Sequence, residues 1–226
     1  MASQRCDVSD AADVERLAEA SWSRWDGVDW LFNNAGVAVL GTAWDATDDD
    51  WRWVLGVNLM GVVHGVRSFV PRMRARGASA HIVNTASAAG LATIGGSSVY
   101  CASKHAVVAF SECLAKDLEH VGSPIGVSVL CPSLLATRID QSQRNRPAVL
   151  PEAGPTAAAY AERVRAGMAA SPIGAEDVAR VTVEAIRARR FYVIPHAHTG
   201  GSVSDRAQKI MGDFHAFHDI HLETPS

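Results

Sequence analysis

Apolar positions along this chain follow two alternating rhythms. Short, mostly apolar runs at Val28–Phe32, His81–Thr85, Ile125–Leu130 and Phe191–Ile194 predict buried strands. Between them, apolar residues recur every three or four positions. Asp10 is placed to cap a helix carrying Val14, Leu17, Ala18, Trp22 and Trp25 on one face. Thr47 and a run of aspartates precede a long helical stretch from about Asp50 to about Arg76, where acidic residues complement the positive end of the helix dipole. Val107, Phe110, Leu114 and Leu118 form the stripe of another helix. Two more helices are expected around Ala157–Met168 and Ala175–Arg189. Cys6-Asp7-Val8 reads as the end of a strand, and Pro132–Pro155 as a long polar, proline-bearing segment. The tail Ser202–Phe217 reads as a short helix or a loosely held end.

Strands alternating with helices predict parallel pairing with helices on both sheet faces. Right-handed crossovers then give an α/β fold built on a doubly wound parallel sheet. A single domain is expected over 1–226, with the core running to about 195 and a C-terminal tail beyond it.

Composition narrows the function classes. The chain has 226 residues, of which 48% are hydrophobic and 20% charged, with a formal net charge of −3. That balance carries no electrostatic footprint for nucleic acid or an anionic membrane. No apolar run reaches the length of a membrane span, and the start MASQRCDVSD lacks a signal-peptide pattern. Cys6, Cys101, Cys113 and Cys131 are scattered, which predicts free thiols and a cytoplasmic location. His196 and His198 follow the last strand. His215, His218 and His221 are spaced to reach one ion from a helix, but no acidic or cysteine ligand set accompanies them and no metal site is expected.

Four polar residues stand out: Asn58, Ser87, Tyr100 and Lys104. Tyr100 and Lys104 are four apart near the start of a helix, which puts both on one face. A free phenol ionises near pH ~10, and a neighbouring ammonium favours the phenolate. Lowering that pKa by about 2–3 corresponds to roughly 3–4 kcal/mol. Tyr100 is then a candidate to move the proton that accompanies hydride transfer. Ser87 follows a strand end, where doubly wound sheets bind ligands, and its hydroxyl suits a carbonyl or alkoxide oxygen. Asn58 lies in the apolar stripe of Val54, Val62 and Val66, where an unpaired buried amide costs about 1–3 kcal/mol. It must bond to the backbone, distort the helix or hold a water.

These segments resemble the short-chain dehydrogenase/reductases. Asn33-Asn34-Ala35-Gly36 matches the family's NNAG signature, and Asn58 within Val57-Asn58-Leu59-Met60-Gly61 its active-site asparagine. Ser87 lies 13 positions before Tyr100, Tyr100-Cys101-Ala102-Ser103-Lys104 matches YxASK, and Cys131-Pro132 with Thr137 resembles the PG…T segment. The likeness runs from about Cys6 to about Ile194. It implies a Rossmann-like NAD- or NADP-dependent oxidoreductase that interconverts a small alcohol and a ketone or aldehyde, working as a homodimer or homotetramer. By the same resemblance, Tyr100 is the acid/base. Lys104 lowers its pKa and holds the nicotinamide ribose, Ser87 polarises the substrate oxygen, and Asn58 helps hold a relay water. Asp7 and Val8 contact adenine, Asn33, Ala35 and Gly36 line the adenine and ribose side, and Pro132 and Thr137 meet the nicotinamide. The Gly36 position is expected to need close backbone approach to the cofactor.

Two departures from the family pattern matter. Ser133 stands where the family has glycine, placing a side chain beside the nicotinamide pocket. The family's opening strand, glycine-rich turn and second βα unit, on the order of 60 residues, are not found before Cys6, and the diphosphate cradle and NAD/NADP selector belong to that part. The chain is therefore expected to be truncated at its front. A non-catalytic homologue, or a structural subunit pairing with a full-length relative, remains the alternative. Substrate contacts are expected from Arg146, Pro147 and Leu150 and from the loop around Trp44.

Overall fold

Residues Ala80–Thr85 and Ile125–Leu130 alternate buried side chains toward two layers and form the centre of a parallel sheet. A computed structural model describes residues 1–152 and 154–221, with side chains of the last helix up to 217. The elements run α1 (Ala11–Trp25), β1 (Trp30–Asn33), α2 (Asp48–Leu55), α3 (Gly61–Arg76), β2 (Ala80–Thr85), α4 (Ser98–His120), β3 (Ile125–Leu130), α5 (Ala157–Ala169), α6 (Ala175–Arg187), β4 (Tyr192–Val193) and α7 (Thr199–His221). The sheet order is β1-β2-β3-β4, every pair parallel. One face packs on α1, α3 and α4 through Val14, Phe69, Met73, Ile82, Leu114 and Val127. The other packs on α6 through Val83, Leu130, Val178 and Ile186. The architecture is the Rossmann-like α/β fold that the alternation of elements anticipates.

Several boundaries differ from the sequence-based expectation. Cys6-Asp7-Val8 is not a strand. Asp7 instead bonds the Ser9 amide at 3.0 Å and the Ser9 hydroxyl at 2.7 Å, a local turn that leads into α1. The polar segment after Pro132 contains a 3-10 stretch, Ile139–Asn145. The tail is a 23-residue helix, α7, longer than the short helix expected. His218 and His221 lie outside the residues whose side chains are described. Among the described residues, no three His, Cys, Asp or Glu side chains gather as a metal site.

The long helical stretch begins at a capping box. Thr47 Oγ1 accepts the Asp50 amide at 3.1 Å, and Asp50 Oδ2 accepts the Thr47 amide at 2.8 Å. Between α2 and α3 the backbone widens into a π turn, Gly56–Met60, centred on Asn58. Taken together, Asp48–Arg76 is long, and apolar over an 18-residue window. That window is 61% buried within the protein, as suits a core helix.

A buried histidine sits on the α6 face of β2. The ring of His81 meets Ser128 Oγ at 2.8 Å, and Ser128 donates to the Arg190 carbonyl at 2.6 Å. Burial, with Arg189 nearby, pushes its pKa from 6.5 down to about 4. The unfolded chain therefore binds more protons between those values, so stability falls as pH drops from 6.5 toward 4. Urea unfolding should lose about 2 kcal/mol through this group between pH 7 and pH 5. His81→Gln should remove that share; an unchanged pH slope would contradict the assignment.

Candidate active site

The carboxyl ends of β1, β2 and β3 open on one edge of the sheet, and α4 crosses behind them. Loop Asn33–Gly36 follows β1, Ser87 follows β2 and Pro132 follows β3. The first turns of α4 bring in Tyr100 and Lys104, and the π turn brings in Asn58. Gly90 sets the spacing between the Ser87 turn and α4: a Cβ there would stand 2.6 Å from the Lys104 carbonyl oxygen. Gly90→Ala must push backbone from backbone, so it is expected to cost about 1–3 kcal/mol and to separate Ser87 from Tyr100. Thermal melting alongside a turnover assay would check both effects.

The Asn58 carboxamide is fully engaged. Its Oδ1 accepts the Val37 amide at 2.8 Å, and its Nδ2 donates to the Val37 carbonyl and to Ser103 Oγ, each at 2.9 Å. Ser103 Oγ donates to the Tyr100 carbonyl at 2.7 Å. Asn58 thus ties the loop after β1 to the first turn of α4.

Lys104 is 3% exposed and donates from Nζ to the Thr85 carbonyl at 2.9 Å. Burial lowers its pKa to about 8, so it remains an ammonium at neutral pH. Nζ lies 5.7 Å from the Tyr100 ring centroid, over the ring. Burial also pushes the Tyr100 phenol above its ordinary value, while a bond from Ser87 pulls it down. Desolvation is the largest of these effects, so Tyr100 is a protonated phenol at neutral pH. Ser87 Oγ accepts the Ala89 amide at 3.1 Å and donates to the Pro132 carbonyl at 3.3 Å.

Asn58, Ser87, Tyr100, Lys104, Gly36 and Pro132 come together here. A Cβ on Gly36 would lie 3.4 Å from Asn58 Oδ1 and 3.5 Å from Lys104 Nζ, narrowing the approach to the ammonium. The Asn33 carboxamide turns inward over α3 and donates to Asn84 Oδ1 at 2.9 Å. Ala35 is exposed in the loop. Val8 packs on Gly61, and its carbonyl meets His64 Nδ1 at 2.9 Å, at the start of α3. Thr137 is exposed, and its Oγ1 accepts the Ile139 amide at 3.4 Å. Arg146, expected at the substrate, instead forms a buried ion pair with Asp50 at 2.7 Å and lies over the Trp53 ring. Leu150 packs against the cluster of Val37, Trp53 and Val99. Trp44 is 83% exposed. Sequence reasoning missed Gly90 and Ser103. The small-residue run Ala88-Ala89-Gly90 was the available signal for Gly90.

A family model described as short chain dehydrogenase matches residues 1–148. The chain belongs to this family of oxidoreductases. It is 31% identical over 225 residues to a CLA biosynthesis dehydrogenase/reductase of Lactiplantibacillus plantarum, covering 96% of this chain and 77% of that protein. It is 41% identical over 133 residues to a probable oxidoreductase, EphD, of Mycobacterium tuberculosis, covering 59% of this chain and 22% of that much longer protein. Among solved structures, a short chain dehydrogenase/reductase from Burkholderia phymatum in complex with NAD superposes with a TM-score of 0.91. It shares 43% identity, over 93% of this chain and 76% of that one.

Proposed function

We propose that this chain interconverts an alcohol and a ketone or aldehyde with NAD or NADP, Tyr100 serving as acid/base. The observation that carries the proposal is the meeting of Ser87, Tyr100 and Lys104 at the strand ends, with the Lys104 ammonium over the Tyr100 ring and Ser87 held by the Pro132 carbonyl and the Ala89 amide. The residues fit a nicotinamide ribose. Lys104 uses one ammonium proton on Thr85, leaving two for ribose hydroxyls, and Gly36 presents no side chain beside it. Asp7, Val8, Asn33 and Ala35 are assigned to the adenine and ribose side, and Pro132 and Thr137 to the nicotinamide side, as the family pattern implies.

When bound, the dinucleotide supplies or accepts the hydride. Ser87 donates a hydrogen bond to the substrate oxygen and stabilises the charge that develops on it. Tyr100 gives its phenolic proton to that oxygen during reduction. The Lys104 ammonium then steadies the phenolate. Burial favours the protonated phenol, which suits reduction. Oxidation needs that proton removed first, so its rate should rise with pH while reduction falls on the alkaline side. A homodimer or homotetramer in the cytoplasm is the working form we infer.

The test is calorimetric titration of the folded chain with NADH and NADPH, followed by ketone reduction monitored by nicotinamide absorbance. Micromolar binding with turnover supports the proposal. A folded chain that binds neither dinucleotide overturns it and favours a non-catalytic or structural role.

A further inference from the structure

The peptide bond joining Pro132 and Ser133 is held from both sides. Its carbonyl, on Pro132, accepts the Ala88 amide at 2.8 Å and the Ser87 hydroxyl at 3.3 Å. Its amide, on Ser133, donates to His196 Nδ1 at 3.1 Å. Carbonyl and amide belong to one planar unit, so the histidine fixes the tilt of the plane that the serine bonds to. The Ser133 side chain, which stands where the family has glycine, is anchored as well: Ser133 Oγ meets His198 Nε2 at 3.0 Å. The two imidazoles pack edge to face, 5.6 Å between centroids.

His196 is 3% exposed, and burial holds its pKa below the ordinary histidine value. A ring nitrogen that accepts an amide proton must be bare, so the proton sits on Nε2. That Nε2 is buried without a hydrogen-bond partner among the described residues. A leucine would fill the space without leaving a donor unsatisfied; what it lacks is the acceptor for Ser133. Beyond this peptide lies a cavity of about 420 Å³, bordered by Leu134, Pro172 and Ile173 together with Ser133, His196 and His198. On that side the histidines are the polar groups that hold the plane.

We infer that His196 is a positioning residue for Ser87, acting through the Pro132–Ser133 peptide. Its acceptor orients and polarises the amide whose carbonyl sets the rotamer of the Ser87 hydroxyl. Ser133 and His198 brace the same unit. The inference rests on the oxidoreductase reading for its catalytic consequence, but not for its geometry.

The test compares His196→Leu with His196→Asn, whose Oδ1 can replace Nδ1 as acceptor. In ketone reduction, His196→Leu should lower kcat about tenfold, less than the roughly 100-fold or more that follows loss of a transition-state donor itself. Dinucleotide affinity should stay within about twofold, because the lost acceptor lies on the serine side. His196→Asn should recover most of the rate. In a Ser87→Ala background, His196→Leu should add nothing further. Equal losses in both backgrounds, or no recovery by asparagine, would overturn the inference and leave His196 a packing residue.

A second measurement stands apart from turnover: ultraviolet titration of Tyr100, taken as the difference from Tyr100→Phe. Because the Ser87 hydroxyl has one proton to place on the Pro132 carbonyl or on the Tyr100 oxygen, His196→Leu should shift the Tyr100 titration, and His196→Asn should not. If no carbonyl is reduced, the oxidoreductase reading fails while a shifted titration still supports the clamp. An unmoved titration overturns the clamp whatever the activity.

Discussion

Tyr100→Phe is expected to lower the turnover of carbonyl reduction by roughly 10²–10⁴-fold, the range for loss of a positioned general acid. The substitution removes one oxygen and keeps the ring, so Lys104 still lies over an aromatic face and retains its bond to the Thr85 carbonyl. Stability should change little, since no backbone hydrogen bond to the Tyr100 hydroxyl is among those described, whereas Ser87 and Lys104 each hold a backbone carbonyl. Dinucleotide binding should also persist. Calorimetry and stopped-flow reduction on the same preparation separate these effects. A variant that still turns over within about threefold of the parent would remove Tyr100 from the chemistry.

The second large effect is on stability. Burial would raise the Asp50 pKa, but the Thr47 amide and the Arg146 guanidinium outweigh it and hold the carboxyl below its ordinary value. The side chains of Arg146 and Asp50 are only 7% and 1% exposed. Arg146→Ala strands a buried carboxylate and strips the cation from over Trp53, and such a break costs about 3–5 kcal/mol. Arg146→Met with Asp50→Asn removes the stranded charge and should recover a substantial part of the loss. Urea melts of the single and double variants would check this, and additive losses would argue against the pairing. The ion pair pins the loop after β3 to α2. A second fastening holds the far end of that loop to the segment before α2: Thr156 Oγ1, just ahead of α5, donates to Asp45 Oδ2 at 2.8 Å, and Thr42 Oγ1 donates to the same oxygen at 2.6 Å. Arg146→Ala should therefore loosen the loop at one end while the other stays attached.

Much of this was legible in the sequence, for identifiable reasons. Tyr100 and Lys104 share a helix, so their spacing alone placed them on one face. Ser87 and Gly36 sit where strands end, and alternation of elements locates those ends. What escaped was set by partners far along the chain. Arg146 looked like a substrate contact because nothing near it in sequence announces Asp50. Asn58 was recognised as needing partners, yet Val37 and Ser103 come from two other segments, and the π turn has no simple pattern of its own. Burial raises the Tyr100 pKa, an effect that depends on what surrounds the phenol and that spacing does not encode. Ser133 was noted as a departure, and His196 and His198 as following the last strand; that they meet Ser133 follows only from the way β3 and β4 lie side by side.

The strand order carries a consequence for how the chain reaches this state. Trp30 pairs with His81, Ala80 with Ile125 and Val129 with Tyr192, so no strand finds its neighbour through a hairpin. Each pairing closes a loop that contains a complete helix, and loop entropy must be overcome before any ladder bond forms. Chains dominated by such distant pairings fold slowly compared with helical bundles. Helices α1, α3 and α4 can form early from local contacts, but the four strand ends converge only as the last pairings close. The candidate site is thus expected to assemble late in folding, and a slow-folding variant should lose the site before it loses helix content.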